Sequence, residues 1–375
     1  MKGKIITSQN GLNQAIKGIL KSLLEKGLFD AILVPTRVPS GESFVYLLIK
    51  DKNLIESCTP LPPIMPIQGA RALRELTRLG KTSLKILCVM RPCEVRASVE
   101  LSKLKQVNLE NISFMSIDCP GAFILKDYIN DPEKFDKLYQ NTLKDWEGEN
   151  IRPSCNICVR FSHQDTPADI HIGKIGMKEN GVIIVPLSTQ SNELLSKIDI
   201  ECTQETTEWQ IGIKEKLQKK AENRNKAFSE LKGNVSGMEN LNNFFSNCIN
   251  CHNCMRVCPI CYCRQCFFDS SDEVRIAAEN YFSRAQNKGG IKFPTDMIFF
   301  HLGRMSHMGI SCIGCGACED ACPMDVPIAQ VFEFMADELQ KMFNYIPGRD
   351  REEQIPVLIY KEDELHEYED MEDLK

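Results

Sequence analysis

Eight cysteines of this chain fall into two runs with identical spacing, and a proline follows each run. The runs are Cys248, Cys251, Cys254 and Cys258 before Pro259, and Cys312, Cys315, Cys318 and Cys322 before Pro323. Two residues between successive cysteines allow a tight turn to point their thiolates at one cube of iron and sulfide. The C-x2-C-x2-C-x3-C-P spacing is typical of [4Fe–4S] ligands, so the sequence predicts two such clusters and a path for single electrons.

The ligands are predicted to cross between the runs. In two-cluster ferredoxins the fourth cysteine of each run binds the cluster of the other run. One cluster is therefore expected on Cys248, Cys251, Cys254 and Cys322, and its neighbour on Cys312, Cys315, Cys318 and Cys258. Gly314 and Gly316 would let the backbone pass close to the second cluster. Zinc or disulfides are the alternatives, but zinc sites draw four ligands from two separated pairs.

The composition is that of an ordinary globular protein. The chain has 375 residues, 43% of them hydrophobic and 26% charged, which predicts two or three domains of about 150 residues each. Its net charge is −6 and its basic residues are scattered, so nucleic acid is not an expected partner. We expect a cytoplasmic protein without a membrane span, because no signal peptide and no run of about 18 apolar residues is visible. Eighteen cysteines in that setting favour metal binding over disulfides, as in an anaerobe.

The first half of the chain alternates between helical and strand patterns. Apolar residues at helical spacing predict a helix over 11–26, which Gly27 ends. Further patterns predict strands at 29–35, 44–50, 85–90 and 112–118, and helices at 69–79 and 94–104. Such alternation predicts an α/β (α+β) domain with a mainly parallel sheet over residues 1–205.

Three segments follow this domain. Residues 206–238 are charged and helix-forming, which predicts a connecting helix on a solvated face. Residues 239–346 contain both cysteine runs, separated by more chain than a compact loop needs, with helical patterns at 272–285 and 294–306. We therefore expect an α-helical, disulfide-reductase-like ferredoxin domain rather than the small β-hairpin type. Residues 347–375 form an acidic C-terminal tail, predicted to be disordered or a solvated surface rather than a docking segment.

Four more cysteines lie in the first domain. Cys93 and Cys119 each follow a predicted strand, and loops at the carboxyl ends of parallel strands gather at one sheet edge. Cys155 and Cys158 add a C-x2-C pair in a proline-containing loop. Four thiolates are the complement of a third [4Fe–4S] cluster. A zinc site and unliganded buried cysteines are the alternatives, and the spacing alone leaves all three open.

A resemblance to a known family bears on this set. The stretches RPCEVRA, DCPG, PSCNICVRF and PADIHIGKIG resemble the carboxy-terminal domain of the coenzyme F420 hydrogenase/dehydrogenase beta-subunit family. That family includes the beta subunits of F420-reducing hydrogenase and of F420-dependent formate dehydrogenase. The trailing two-cluster segment makes the chain most similar to the formate dehydrogenase members. The resemblance implies FAD and a [4Fe–4S] cluster in the first domain, with Cys93, Cys119, Cys155 and Cys158 as the cluster ligands.

Candidate cofactor-binding residues lie near these motifs. In DIHIGKIG, two glycines would let a phosphate or a flavin edge approach, and a lysine would offset a pyrophosphate charge. The candidates there are Asp169, Gly173, Lys174 and Gly176. The segment lacks the G-x-G-x-x-G spacing, so an ordinary loop is the alternative. The other candidates flank Cys93 or lie in a second loop: Arg91, Glu94, Arg96, Gln68 and Gly69. Arginines stabilise an anionic reduced flavin, but they are also common surface cations. That alternative applies above all to Arg71.

The remaining sequence suggests no further chemistry. It contains no P-loop, H-E-x-x-H, G-x-S-x-G or Rossmann fingerprint, so no acid, base or nucleophile is assigned. Six cysteines stay outside the three sets: Cys58, Cys88, Cys202, Cys261, Cys263 and Cys266. Cys88 has the pattern of a small buried residue, and the last three are interpreted as structural because no fourth partner lies nearby.

The function implied by the resemblance is that of an oxidoreductase subunit for electron transfer. Hydride carriers exchange two electrons and clusters pass one, so a flavin must join the two kinds of step. The resemblance implies FAD, coenzyme F420 as the hydride carrier, and a molybdopterin or tungstopterin formate dehydrogenase catalytic subunit as partner, with heterodisulfide reductase subunits beyond it. The chain is not expected to oxidise formate alone. The alternatives are a flavin-free wiring or scaffold subunit, and a flavin subunit that uses NAD(P) or ferredoxin.

Overall fold

The computed structural model describes residues 1–7, 11–177, 181–263, 266, 268 and 297–359. Its strands are β1 (Lys2–Thr7), β2 (Ala31–Arg37), β3 (Phe44–Ile49), β4 (Ile86–Met90), β5 (Ile112–Ile117), β6 (Ile170–Gly173), β7 (Gly181–Pro186) and β8 (Gln204–Glu205). Helices α1 to α7 are Gly11–Glu25, Gly69–Leu76, Pro92–Lys103, Leu125–Asn130, Pro132–Asp145, Pro153–Asn156 and Thr189–Ser196. Helices α8 to α13 are Thr207–Val235, Met238–Phe245, Asn253–Val257, Met297–Met308, Ala317–Asp320 and Ile328–Met342.

The eight strands form one mixed sheet in the order β3-β2-β4-β5-β6-β7-β1-β8. Strands β2, β4, β5 and β6 pair in parallel, with Met115 of β5 opposite Ile170 of β6. Antiparallel pairings add β3 on one side and β7, β1 and β8 on the other. The predicted α/β class is confirmed, but the prediction of a mainly parallel sheet is wrong. The short connections from β2 to β3 and from β6 to β7 leave no room for the crossover that parallel pairing needs.

Side chains of the central strands alternate between two cores. Leu87 and Val89 of β4 join the core under α1, whereas Ile86, Cys88 and Met90 join the core on the opposite face. Strand residues point alternately to the two faces, so a strand that is apolar throughout must be covered on both sides. Burying each such side chain contributes roughly 1.5–3 kcal/mol.

The core on the second face continues into the cysteine-run segment. Val95 and Phe114 of the first domain belong to the same apolar cluster as Phe245, Phe300 and Phe332. The described residues of 239–346 contain helices and no strand. Within the described residues, no helix is both long and apolar enough to cross a membrane. The predicted connecting helix corresponds to α8, and the predicted helix at 272–285 lies outside the described residues.

A C-terminal strap, residues 345–351, returns to the first domain and lies on α3. The fully buried Glu100 carboxylate accepts a bond from Tyr345 Oη at 2.7 Å and from the Gly348 backbone N–H at 2.9 Å. Lys103 pairs with the same carboxylate at 2.9 Å, and Arg96 donates to a strap carbonyl oxygen. The predicted tail boundary at 347 therefore falls inside a segment that is fixed to the first domain.

Replacing Glu100 by alanine removes the shared acceptor of the strap and leaves the nearly buried Lys103 ammonium without its carboxylate, with only Tyr345 as a partner. We expect the free energy of unfolding to fall by about 3 kcal/mol, the usual cost of breaking a buried pair from one side. Glu110→Ala is the control, since exposed Glu110 pairs with Lys81 at the surface and contributes less than about 1 kcal/mol. Chemical denaturation measures both, and equal unfolding midpoints would contradict the role given to Glu100.

Candidate iron–sulfur sites

The first-domain set of cysteines gathers at the carboxyl ends of β4 and β5. Cys93 lies in the first turn of α3, Cys119 directly follows Asp118 after β5, Cys155 lies in α6, and Cys158 follows α6. Burial and the charges of Cys119 and Cys158 raise the pKa of Cys93, and burial with Cys119 raises the pKa of Cys155 to about 11. Thiols that shift one another's pKa in this way lie near one another. The structure thus places the four cysteines in one region at the sheet edge, although no three metal-binding side chains among the described residues are close enough to hold a single metal ion.

Cationic groups border the first-domain set. The buried Arg91 guanidinium donates from Nη1 to Cys119 Sγ at 2.8 Å and to the Gly121 carbonyl oxygen at 3.1 Å. The buried Lys220 ammonium of α8 donates to the carbonyl oxygen of Cys155. Positive charge and N–H donors beside thiolates favour the more negative, reduced form of a cluster. Both residues would therefore raise the reduction potential at this set.

Asp118 fixes the loop that carries Cys119. Its fully buried carboxylate accepts bonds from Trp209 Nε1 at 2.7 Å, the Lys174 backbone N–H at 2.8 Å and His171 Nε2 at 3.0 Å. Burial disfavours the charged form, but the bonds from His171 and the other donors outweigh it and lower the pKa of Asp118. Strands β5 and β6 and helix α8 together therefore determine where the Cys119 thiol lies.

The second set combines cysteines from both runs. Burial, together with the charges of Cys248, Cys251 and Cys322, raises the pKa of Cys254 to about 11. Burial also raises the pKa of Cys248, and Cys322 adds to that shift. Cys322, the last cysteine of the second run, thus interacts with Cys248 and Cys254 of the other run, as crossed ligation would require.

The third set is the reciprocal one. Burial raises the pKa of Cys312, Cys315 and Cys318, and the charge of Cys258 adds to the shift of each. A hydrogen bond from the neighbouring Cys261 thiol lowers the pKa of Cys258 itself to about 6. Cys258 is therefore ready to ionise near neutral pH, and the thiolate is the form that binds iron.

Unpaired nitrogen donors around the three sets fit sulfide-bearing clusters. Within the described residues, Nε of Arg304, Nδ1 of His301, and Nε and Nη1 of Arg152 are buried without a hydrogen-bond partner. Arg304 Nη1 already donates to Cys254 Sγ at 3.0 Å, and His301 Nε2 lies 3.4 Å from Cys248 Sγ. Orphaned buried donors are costly, and the sulfides of a cluster would supply acceptors. The residues present therefore fit [4Fe–4S] groups.

The first-domain set and the third set meet where two cysteine loops touch. Gly316 has a φ of +71°, and a Cβ added there would stand 2.8 Å from the side chain of Ser154. Ser154 directly precedes Cys155 in the other loop. Beyond the larger effect of burial, the charge of Cys315 raises the pKa of Cys93 across the same junction. The two sets are thus neighbours in space.

A buried ion pair closes this junction. Arg152 donates to the carboxylate of Asp320, and the two side chains are only 3% and 5% exposed. Arg152 also donates to the Met65 carbonyl oxygen at 3.1 Å, and Asp320 accepts from the Leu125 backbone N–H at 2.9 Å. The ion pair and the Leu125–Asp320 bond both cross the boundary between the two parts of the chain, so the boundary is a specific contact.

The nine residues predicted to bind FAD are distributed among three packing environments. At the start of α2 and α3, Glu94 accepts from the backbone N–H groups of Gly69 at 2.7 Å and Arg91 at 2.9 Å, and Gln68 caps α2. Arg96 donates to the C-terminal strap instead. The polar groups of these five residues are thus committed to contacts inside the protein.

The segment at 169–176 packs against α8. A Cβ on Gly173 would stand 2.5 Å from the Trp209 ring, and Gly176 meets Gly212 backbone to backbone. Of the last two candidates, Asp169 accepts a bond from the Phe114 backbone N–H of β5. The backbone N–H of Lys174 donates to Asp118, which follows the end of that strand. The glycines here allow the close packing of β6 on α8, and the nine residues stay a prediction for FAD.

Two cations near the cysteine sets escaped the sequence prediction. Lys220 lies on the same helical face of α8 as the buried Trp209 and Ile213, and that spacing was the available signal. Arg304 is buried in the apolar pattern of α11, where a charge would normally be turned to solvent. Neither residue is close in sequence to the cysteine that it approaches.

The extra cysteines divide between core and surface. Cys58 and Cys88 are buried in the first domain, whereas Cys202 is half-buried. The three cysteines interpreted as structural differ in exposure. Cys261 and Cys266 are half-buried against the second core, whereas Cys263 is exposed.

Comparison of the chain with known proteins finds one matching domain family and two relatives of similar length. Residues 243–326 match the 4Fe-4S dicluster domain. The F420-dependent formate dehydrogenase subunit beta of Methanocaldococcus jannaschii is 25% identical over 368 residues, which cover 90% of this chain and 92% of that protein. The F420-dependent formate dehydrogenase 1 subunit beta of Methanococcus maripaludis is 27% identical over 376 residues, covering 90% and 91%.

A solved structure of the F420-reducing [NiFe] hydrogenase complex from Methanosarcina barkeri is 15% identical to this chain. It covers 63% of this chain and 93% of that chain, with a TM-score of 0.47. The resemblance inferred from the cysteine-bearing motifs is confirmed by the two relatives and the domain match. Over nine tenths of its length the chain is similar to these two F420-dependent formate dehydrogenase beta subunits, and residues 243–326 match the 4Fe-4S dicluster domain.

Proposed function

We propose that this chain is the electron-transfer subunit of a formate dehydrogenase-type complex. It would pass electrons between a catalytic partner subunit and a hydride carrier such as coenzyme F420, through three [4Fe–4S] clusters and FAD. One observation carries the proposal: the loop of Cys155 touches the loop of Cys315, so the cysteines of the first domain lie beside those of the second run. The names of the two relatives support the choice of complex and carrier.

The proposed ligands are those of the three sets described above. The first-domain cluster would be held by Cys93, Cys119, Cys155 and Cys158. The two dicluster-domain clusters would be held by Cys248, Cys251, Cys254 and Cys322, and by Cys258, Cys312, Cys315 and Cys318. When bound, such clusters supply one-electron steps. The chain itself contributes burial, position and cationic donors, and no acid–base side chain is required.

The series order follows from which sets are neighbours. In the proposed series the third set stands between the other two, which is supported by the interaction of Cys315 with Cys93 and of Arg304 with both Cys258 and Cys254. The first-domain set would thus be the terminus nearer the hydride carrier. The second set, whose Cys251 is exposed, would be the terminus nearer a partner.

The location of FAD is a separate question. The nine predicted residues are engaged in internal contacts, so we assign no step to a flavin at those positions. That same observation favours a second candidate function, in which the chain binds no flavin and only relays electrons within the complex. In both versions formate chemistry belongs to the catalytic partner, a molybdopterin or tungstopterin subunit, with heterodisulfide reductase subunits as further candidates.

The three sets predict about twelve iron atoms per chain, four for each set of four cysteines. Cys93→Ala should lower this to about eight, because the first-domain set loses a ligand. Cys202→Ala is the matched control, since Cys202 lies outside all three sets and is half-buried like Cys93. Iron and sulfide analysis after anaerobic purification measures the content. A value near eight in the unaltered chain would remove the first-domain cluster from the account.

Crossed ligation predicts which cluster each substitution damages. Cys258→Ser should alter the electron paramagnetic resonance signal of the cluster held by the second run, because Cys258 lies with Cys312, Cys315 and Cys318. Cys322→Ser should alter the other signal. If Cys258→Ser instead disturbs only the cluster of Cys248, Cys251 and Cys254, the crossed assignment is wrong.

The proposed function predicts electron exchange between F420 and a one-electron dye. The chain purified with its cofactors should catalyse this half-reaction without the catalytic partner, because only the carrier site and the cluster path are needed. Cys155→Ala should lower the rate at least about tenfold by interrupting the path, and Cys202→Ala should not. The rate is followed anaerobically by F420 absorbance.

Two results would count against this proposal. No exchange in the unaltered chain would remove the carrier role and leave the relay-only function. An unchanged rate in Cys155→Ala, with the first-domain cluster absent by iron analysis, would show that electrons do not take this path.

A further inference from the structure

A buried arginine of α11 lies between the cysteines of the two runs. Arg304 is only 2% exposed, and an arginine is almost never buried to this extent unless its charge has a partner. Its Nη1 donates to Cys254 Sγ at 3.0 Å, and its Nη2 donates to the Cys254 carbonyl oxygen at 3.2 Å. Among the described residues no carboxylate pairs with Arg304. The partner that its charge faces there is therefore the sulfur of a cysteine.

Two aromatic rings keep water away from this guanidinium. The Cζ atom of Arg304 lies 4.7 Å from the centre of the Phe332 ring and 5.4 Å from the centre of the Phe300 ring, and both rings are buried. Rings in these positions attract a cation. A charge that is excluded from water is screened little by salt, so its field acts on neighbouring groups more strongly than the field of a surface cation.

The same arginine lies one side chain away from the third cysteine set. The four cysteines of that set line one small cavity: Cys258, Cys312, Cys315 and Cys318. Phe332 and Met308 line the same cavity. The Phe332 ring lies on the Arg304 guanidinium, and Met308 Sδ is 4.0 Å from Arg304 Nη2. Arg304 thus contacts one dicluster set directly and is separated from the other by a single layer of side chains.

One nitrogen of Arg304 has its hydrogen-bonding capacity unused. Its Nε is buried and has no hydrogen-bond partner within the described part of the chain. A buried donor without an acceptor is destabilising, and the sulfur atoms of a cluster would supply an acceptor. Both the charge and the spare donor of Arg304 therefore favour additional negative charge on sulfur beside it.

We propose that the Arg304 guanidinium raises the reduction potentials of both dicluster clusters, and that of the second set more than that of the third. This inference rests on the function proposed above, because it needs a cluster at each set. Reduction adds one electron to a cluster without a proton or a change of bonds, so the cluster becomes one unit more negative. A buried cation beside the cluster stabilises that reduced form.

A shared cation has a consequence for the electron path. Because one charge acts on both clusters, their potentials rise together, and the step between them stays small. The direct bond from Arg304 to Cys254 makes the effect on the second set the larger one. The competing role for Arg304 is mechanical, since its bond to the Cys254 carbonyl oxygen also ties α11 to α10.

Arg304→Gln tests the role of the charge, because glutamine keeps a polar side chain with N–H donors and removes the cation. The midpoint potentials are measured by anaerobic redox titration of the full chain, followed by electron paramagnetic resonance. The Cys258→Ser and Cys322→Ser variants described above assign the two dicluster signals. We expect the second-set potential to fall by at least about 59 mV, a tenfold change in a one-electron equilibrium constant. The third-set potential should fall less.

The first-domain cluster is the internal reference in this experiment. The described contacts of Arg304 include no residue of the first-domain set, so that potential should not move. Arg304→Lys keeps the charge and loses the fork of the guanidinium. Its two dicluster potentials should lie nearer to those of the unaltered chain than to those of Arg304→Gln.

Arg256→Gln is the matched control for burial. Arg256 is an exposed cation of α10, two residues after Cys254. The shift that it causes should be smaller than that of Arg304→Gln. It should vanish at about 1 M salt, where the Debye length is about 3 Å. The shift caused by Arg304→Gln should persist at that salt concentration.

Unchanged dicluster potentials in Arg304→Gln, with the iron content intact, would overturn the proposal. Equal shifts in Arg304→Lys and Arg304→Gln would overturn it as well, because they would assign the effect to the bonds of the guanidinium rather than to its charge. If Arg304→Gln loses iron, recovery of the iron in Arg304→Lys supports the charge, and loss in both variants overturns it. Absence of both dicluster signals from the unaltered chain would contradict the function proposed above, and this proposal with it.

Discussion

An ion pair that is almost excluded from water joins the two parts of this chain where their cysteine loops meet. Asp320 also accepts from the Leu125 backbone N–H of the first domain, and Arg152 also donates to the Met65 carbonyl oxygen of its own domain, so the pair is fixed in one arrangement. Removing either partner of a buried pair costs about 3–5 kcal/mol, because the other charge is left unpaired. This constraint keeps Gly316 against Ser154, and with them the third cysteine set against the first-domain set.

A single helix, α8, links position and charge at the first-domain set. Trp209 near its start donates to Asp118, which holds the loop of Cys119, and Lys220 two turns beyond Ile213 approaches Cys155. The helix therefore supplies a structural donor and a cation to the same set. The dicluster sets are served in a similar way by α11, which carries both His301 and Arg304. Buried nitrogen donors are thus a shared feature of the first-domain and second sets.

The sequence predicted those features whose pattern lies within one short stretch of the chain. Helix α1 and strands β4 and β5 follow from apolar spacing, and the cysteine runs identify themselves because a cluster imposes a short, fixed spacing on its ligands. The antiparallel strands β1 and β7 pair across most of the first domain, so no local pattern predicts them. The packing role of the glycines of 169–176 was not predictable for the same reason. Their partners, Trp209 and Gly212, lie on a helix that the local motif does not contain.

An anomalous difference map at the iron absorption edge, from crystals of the anaerobically purified chain, tests the central claim most directly. The account predicts three peaks, each of about four irons. They should lie within the first-domain, third and second cysteine sets, in that order through the molecule. Two peaks confined to the dicluster domain, or a third peak away from Cys93, Cys119, Cys155 and Cys158, would contradict it.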